Sequence, residues 1–103
     1  MYKEFAEVYD LIYASIDYKK SCKKLVKLIK KYKISPGNKL LDVACGTGSH
    51  LFYLQDEFIC TGVDINTDIL EIAKQKVKNA DFIQADMISM NLNKKFDVIT
   101  CLF

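Results

Sequence analysis

At 103 residues the chain has the size of one domain, half of its residues are apolar, and its formal net charge is +2. All fifteen basic residues are lysine, which argues against a dedicated phosphate or nucleic-acid surface, where bidentate guanidinium contacts are favoured. No apolar run approaches the ~18 residues of a membrane-spanning helix and no signal-peptide pattern opens the sequence, so a cytoplasmic protein with no membrane contact is expected.

The four cysteines, Cys22, Cys45, Cys60 and Cys101, show no Cys-x-x-Cys spacing. They read as small core hydrophobes of a reducing compartment, three of them in strands, with no metal site. From the start, Phe5, Tyr9, Ile12 and Tyr13 fall at helical spacing. They predict a short N-terminal helix whose aromatic face either packs in the core or lies over a ligand site as a lid. Asp17 then caps a second helix running to about Tyr32, with Cys22, Leu25, Val26, Ile29 and Tyr32 as its inner stripe. Lysines 19, 20, 23, 24, 27, 30 and 31 cover much of the rest. A solvated face is expected there, with a nucleic-acid or membrane-surface contact as alternatives. Ser35-Pro36-Gly37-Asn38 is a turn into the first strand.

Leu40 to Cys45 is almost continuously apolar, as a parallel strand covered on both faces should be. Gly46 and Gly48 let the backbone turn tightly and lie close to a ligand, and Ser49 is placed to cap a helix over about Gly48–Gln55. Phe58 to Asp64 predicts the second strand. Asn66 or Thr67 caps the next helix, with Ile69, Leu70, Ala73 and Val77 facing inward. Asp81 to Gln84 is a short third strand, and Phe96 to Phe103 a fourth. Met87 to Lys95 is too short for a full crossover helix with loops, so irregular chain or a single helical turn is expected. The pattern predicts an α/β fold: a Rossmann-like parallel sheet, truncated to about four strands with flanking helices, comprising a helical N-terminal segment (1–34) and a half-sheet (38–103). Because the chain stops on an apolar strand, a fragment is expected, with strand 96–103 as an edge for self-association or for a missing C-terminal half.

In such a sheet the glycine loop, Asp64 and Asp86 converge on one edge. Asp64 ends strand two, where a carboxylate accepts hydrogen bonds from ribose hydroxyls. Asp86 follows strand three, where one accepts from an exocyclic adenine amine. Each taken alone also reads as a helix cap or a solvated loop residue. A dinucleotide site calls for a third glycine, where this chain has Leu51. Asp42, just before the loop, is unwelcome beside a pyrophosphate and suits a ligand with an ammonium or sulfonium group. No Gly-Lys-Ser/Thr follows the glycines, which excludes a P-loop.

The segments Leu40-Leu41-Asp42-Val43-Ala44-Cys45-Gly46-Thr47-Gly48, Gly62-Val63-Asp64, Gln84-Ala85-Asp86-Met87 and Phe96-Asp97-Val98-Ile99 resemble the successive motifs of class I S-adenosylmethionine-dependent methyltransferases. Residues 9–13, 48–51 and 100–103 are most similar to small-molecule N-methyltransferases that act on amino sugars. Where those enzymes carry a basic residue just before the tyrosine matching Tyr18, this chain has Ile16-Asp17. The resemblance implies the first part of such a domain, binding S-adenosyl-L-methionine and transferring methyl to a small-molecule amine or hydroxyl. Ala44, Cys45, Gly46 and Gly48 would lie along the methionine portion, with Asp42 supporting the loop. Asp64 would hold the ribose, Ile65 would pack on adenine, and Asp86 and the Met87 backbone would bind the adenine edge. Tyr9, Tyr13 and Tyr18 would close over the ligand, and Cys101 to Phe103 would floor the transfer site. No catalytic residue is assigned. His50, the lone histidine, could serve near the pocket as a base only if the acceptor arrives protonated, and otherwise has an ordinary surface or packing role. The alternatives are an RNA methyltransferase fragment, a dinucleotide-binding half-domain, and a non-catalytic partner subunit that pairs through its C-terminal strand.

Overall fold

The computed structural model describes residues 17–89 and 92–102. The N-terminal aromatic helix, with Tyr9 and Tyr13, and the terminal Phe103 lie outside the described residues.

The first described element is helix α1, Tyr18–Tyr32. Asp17 caps it as expected, its Oδ1 accepting from the Lys20 N–H at 2.9 Å. Lys30 and Lys31 in the last turn suit the negative end of the helix dipole. Cys22 is buried, and Leu25, Val26 and Ile29 pack against the same core. The seven lysines are exposed. Tyr32, expected in the inner stripe, is exposed instead. The reason is length: α1 packs against α2 (Ser49–Leu54), and roughly 22 Å of helix cannot be covered by roughly 9 Å.

The strands are β1 (Lys39–Val43), β2 (Ile59–Asp64), β3 (Ala80–Gln84) and β4 (Val98–Thr100). All pair in parallel in the order β3-β2-β1-β4. Strand four is shorter than expected, only three residues, with Cys101 beyond it. Among the described residues between β3 and β4 there is no helix. Helix α3 (Thr67–Lys76) links β2 to β3, and Asn66 is its cap, Oδ1 accepting from Ile69 N–H at 3.0 Å. Leu70, Ala73 and Val77 are buried. At the amino end of the sheet, Asp97 fastens β4 to β1. Its backbone N–H donates to Lys39 O at 2.8 Å, and its carboxylate accepts from Lys39 N–H at 2.9 Å and from the Ser35 hydroxyl. The Ser35 hydroxyl, the larger cause, and the Lys39 N–H hold the Asp97 carboxyl below its ordinary value.

The helices cover one sheet face. Leu40, Cys60, Leu51, Leu54, Phe58, Leu70 and Val77 form the core there. On the other face Leu41, Val43 and Val63 pack with Ile83, Ala85, Leu92 and Phe96. Gly62 sets how closely α2 approaches: a Cβ there would stand 2.8 Å from both Leu51 Cδ1 and Phe82. The room that a third loop glycine would give is thus supplied by the facing strand, and Leu51 fills it.

Gly62→Ala is therefore expected to destabilise the fold by about 1–3 kcal/mol through overpacking. Urea unfolding of the variant checks this; a midpoint equal to wild type would show that Leu51 and Phe82 yield without cost.

Candidate functional site

The site lies at the carboxyl edge of β1, β2 and β3. After Val43 the backbone enters the left-handed region three times, at Ala44 (φ 57°), Gly46 (φ 59°) and Gly48 (φ 83°). Glycine takes this conformation freely, whereas at Ala44 it is a strain the sequence does not advertise. Gly48, not Ser49, is the N-cap of α2, with no side-chain bond. Ser49 instead opens the helix and, with Thr47, is reached by the Lys76 ammonium of α3, at 3.2 and 3.4 Å. A Cβ on Gly48 would press on Val77 Cγ2 at 3.0 Å, while one on Gly46 would meet nothing within 4 Å. Gly48 therefore serves packing against α3. Among the described residues nothing stands against Gly46, which leaves its backbone open to a ligand.

Asp64 does two jobs at the end of β2. Its Oδ2 accepts from the Gly46 N–H at 3.0 Å and its Oδ1 from the Asn66 N–H at 3.1 Å. A carboxylate offers about four acceptor sites, so about two remain for a ligand's hydroxyls. Main-chain bonds tighten the same corner: Cys45 N–H to Val63 O at 3.0 Å and Ala85 N–H to Asp64 O at 3.1 Å. Asp86 follows β3, exposed, its Oδ1 accepting from the Ile88 N–H at 2.9 Å. Ile65 (61% exposed), Met87 and Ile88 offer apolar surface beside these carboxylates. Gln84 Nε2 holds the Ile65 carbonyl at 3.0 Å.

Asp42 lies beneath the loop and is 1% exposed. Its Oδ1 accepts from the Thr100 hydroxyl at 2.8 Å, and its Oδ2 is buried with no donor among the described residues. Burial raises its carboxyl from 3.8 to about 6; the Thr100 hydroxyl and the Leu102 backbone N–H pull it back only in part. Thr100 was not foreseen as a partner. Its signal was a polar residue inside an apolar strand, and the register that places it opposite Asp42 is a tertiary fact.

The cysteines divide. Cys22, Cys45 and Cys60 are buried and Cys101 is exposed; all four are free. Only Cys60 lies within a strand, because β1 and β4 end before Cys45 and Cys101. Burial and then the Asp42 and Asp64 charges push the Cys45 thiol up to about 12, so it is not a nucleophile. Among the described residues no cluster of His, Cys, Asp and Glu could hold a metal ion. Leu102, expected on the floor of a transfer site, packs into the helix-side core. Tyr18 lies edge-on to His50, two residues after Gly48. Tyr13 lies outside the described residues.

A family model described as a methyltransferase domain matches residues 40–103. The chain is 36% identical over 103 residues to a dTDP-3-amino-3,6-dideoxy-alpha-D-glucopyranose N,N-dimethyltransferase of Streptomyces fradiae, with 97% of this chain and 40% of that protein covered. Among solved structures it is similar to DesVI of Streptomyces venezuelae (TM-score 0.87, 33% identity, 96% of this chain and 43% of that one). It is also similar to CalS10, an amino pentose methyltransferase of Micromonospora echinaspora with S-adenosylmethionine bound (TM-score 0.86, 27% identity, 93% and 42%). The chain thus spans about two fifths of the length of these relatives.

The Asp42 carboxyl carries a testable sign. Its folded value lies above the ordinary 3.8, so it contributes stability that is complete below about pH 4 and lost as the pH rises through about 6. Asp42→Asn keeps an acceptor for Thr100 and removes the titration. Its unfolding free energy in urea, relative to wild type, should improve by on the order of 2 kcal/mol between about pH 4 and about pH 8. A difference independent of pH would refute the burial of a charge at this position.

Proposed function

The chain belongs to the methyltransferase-domain family, and from that premise we propose that its crevice binds S-adenosylmethionine for methyl transfer to a small-molecule amine, of the amino-sugar kind that its relatives' names describe. The observation that carries this reading is the joint placement of the Gly46 cradle, the Asp64 clamp and Asp86 on one sheet edge.

The residues fit the cofactor. Gly46 leaves room where a Cβ would stand, and Asp42 presents a buried carboxylate oxygen with no donor of its own. Ala44, Cys45, Gly46 and Gly48 are assigned to the methionine portion, with Asp42 as a negative charge beneath its cationic groups. The remaining acceptor sites of Asp64 are assigned to the ribose hydroxyls, and Asp86 to the adenine amine. Ile65 and the Met87 side chain and backbone are assigned to the adenine faces and edge, and Tyr18, with Tyr13, to the methionine end. The sulfonium of S-adenosylmethionine supplies an electrophilic methyl group. The chain's own residues then need only align and desolvate, and alignment of this kind lowers a barrier by about 7–11 kcal/mol in favourable cases. No residue is assigned as the base.

Calorimetric titration of S-adenosylmethionine into the purified chain tests this. Binding is expected for wild type, and Asp64→Ala should weaken it by at least about tenfold, since hydrogen bonds to a charged acceptor are lost. Gly46→Ala should leave the fold within about 1–2 kcal/mol of wild type, the left-handed strain alone, yet block the cofactor. A folded wild-type chain that binds no S-adenosylmethionine would overturn the proposal.

A further inference from the structure

Two residues one helical turn apart on α1 hold the same residue of α2. The Tyr18 ring meets the His50 imidazole edge-on, centroids 5.0 Å apart at 88°. Four positions on, the Cys22 Sγ–H donates to the His50 carbonyl at 3.6 Å. Positions i and i+4 share a helix face, so both grips act in one direction. Burial pushes the Cys22 thiol up to about 11, so it stays a donor. His50 itself lies in the first turn of α2, two residues after Gly48.

We propose that His50 is a positioning residue for the cofactor crevice: its uncharged imidazole, seated against Tyr18, locks the amino end of α1 to the first turn of α2 and holds Tyr18 beside the glycine loop, an assignment that rests on the crevice taking S-adenosylmethionine. The setting favours the uncharged ring. Burial lowers the His50 value from 6.5. Among the described residues, the titratable groups shown against His50 or its neighbour are Tyr18 and Cys22 from α1 and, from α3, the Lys76 ammonium, which reaches the adjacent Ser49 hydroxyl at 3.2 Å; none of these is an anion. Protonating His50 therefore weakens the lock, and a ligand that needs the lock must oppose protonation by the same amount.

His50 is the only histidine in the chain, so its imidazole signals in an NMR titration are identified without mutagenesis. In wild type the midpoint is expected below 6.5, and saturating S-adenosylmethionine should lower it further. Tyr18→Ala should raise the midpoint toward the ordinary value and abolish the cofactor's effect, while Tyr18→Phe, which keeps the ring, preserves both. In calorimetry His50→Ala should weaken S-adenosylmethionine binding about fivefold, the size of an edge-on aromatic contact, and His50→Phe should restore most of it. If wild type binds the cofactor but the His50 midpoint does not move, the positioning role is refuted. The same follows if His50→Ala binds as tightly as wild type. A wild-type chain that binds no cofactor refutes the crevice reading itself, and the response of the midpoint to Tyr18→Ala then still reports whether the ring lock exists. Should His50→Ala not fold, the wild-type titration decides.

Discussion

The carboxylate of Asp64 joins two loops that belong to different strands. Through Gly46 N–H it fixes the turn after β1, and through Asn66 N–H the turn after β2. Charge-assisted bonds to backbone N–H groups are among the stronger hydrogen bonds a protein makes. Here they tie two strand ends, paired in register from Lys39↔Ile59 to Val43↔Val63, into one continuous edge. The Asn66 side chain, brought into place by this bond, goes on to cap α3. The backbone conformation at Gly46, the entry angle of α3 and the free acceptor sites of Asp64 thus depend on one another.

Asp42 is the opposite case. It is a carboxylate kept dry under the glycine loop, with one hydroxyl as its main partner and one oxygen unmatched. Folding alone gives no reason to keep such a group, since an unmatched buried acceptor costs free energy. Under the proposed function, a positively charged ligand above the loop would give one. The partner hydroxyl comes from β4, so the state of Asp42 depends on how that strand docks on β1. Docking is secured at the far end of the same pair by Asp97 and Lys39. A residue of the Phe96-Asp97-Val98-Ile99 segment therefore serves the site from the opposite edge of the sheet, as a fastener.

The helices on one sheet face pack by fitting bulk to gaps. Leu51 of α2 enters the gap left by Gly62 of β2, and Val77 and Ala73 close on Gly48. The glycine loop is thus gripped between α3 and the sheet at Gly48 and left open at Gly46. The exposed ion pair between Lys30 and Glu57, at 2.9 Å, adds little to this packing because solvent screens it.

Hydrophobic pattern and spacing by themselves determined the element order, the parallel sheet and the placement of Asp64 and Asp86 after β2 and β3 on one sheet edge. Leu40-Leu41-Asp42-Val43, Gly62-Val63-Asp64 and Asn66 declare strand, strand end and cap through local chemistry, which a linear sequence displays in full. Local chemistry also explains the misreadings. Ser49 is a good cap by composition, but the cap position went to Gly48 because the chain there runs left-handed. Tyr32 fits the α1 stripe by period, yet α2 is too short to cover it. Tertiary structure alone decided which groups meet across the chain: Thr100 with Asp42, Leu51 with Gly62, Tyr18 and Cys22 with His50, Asp97 with Ser35 and Lys39. Each of these joins residues at least eleven positions apart, and most lie far more distant. Strand register and helix packing set such pairings, and no periodicity in the sequence encodes them.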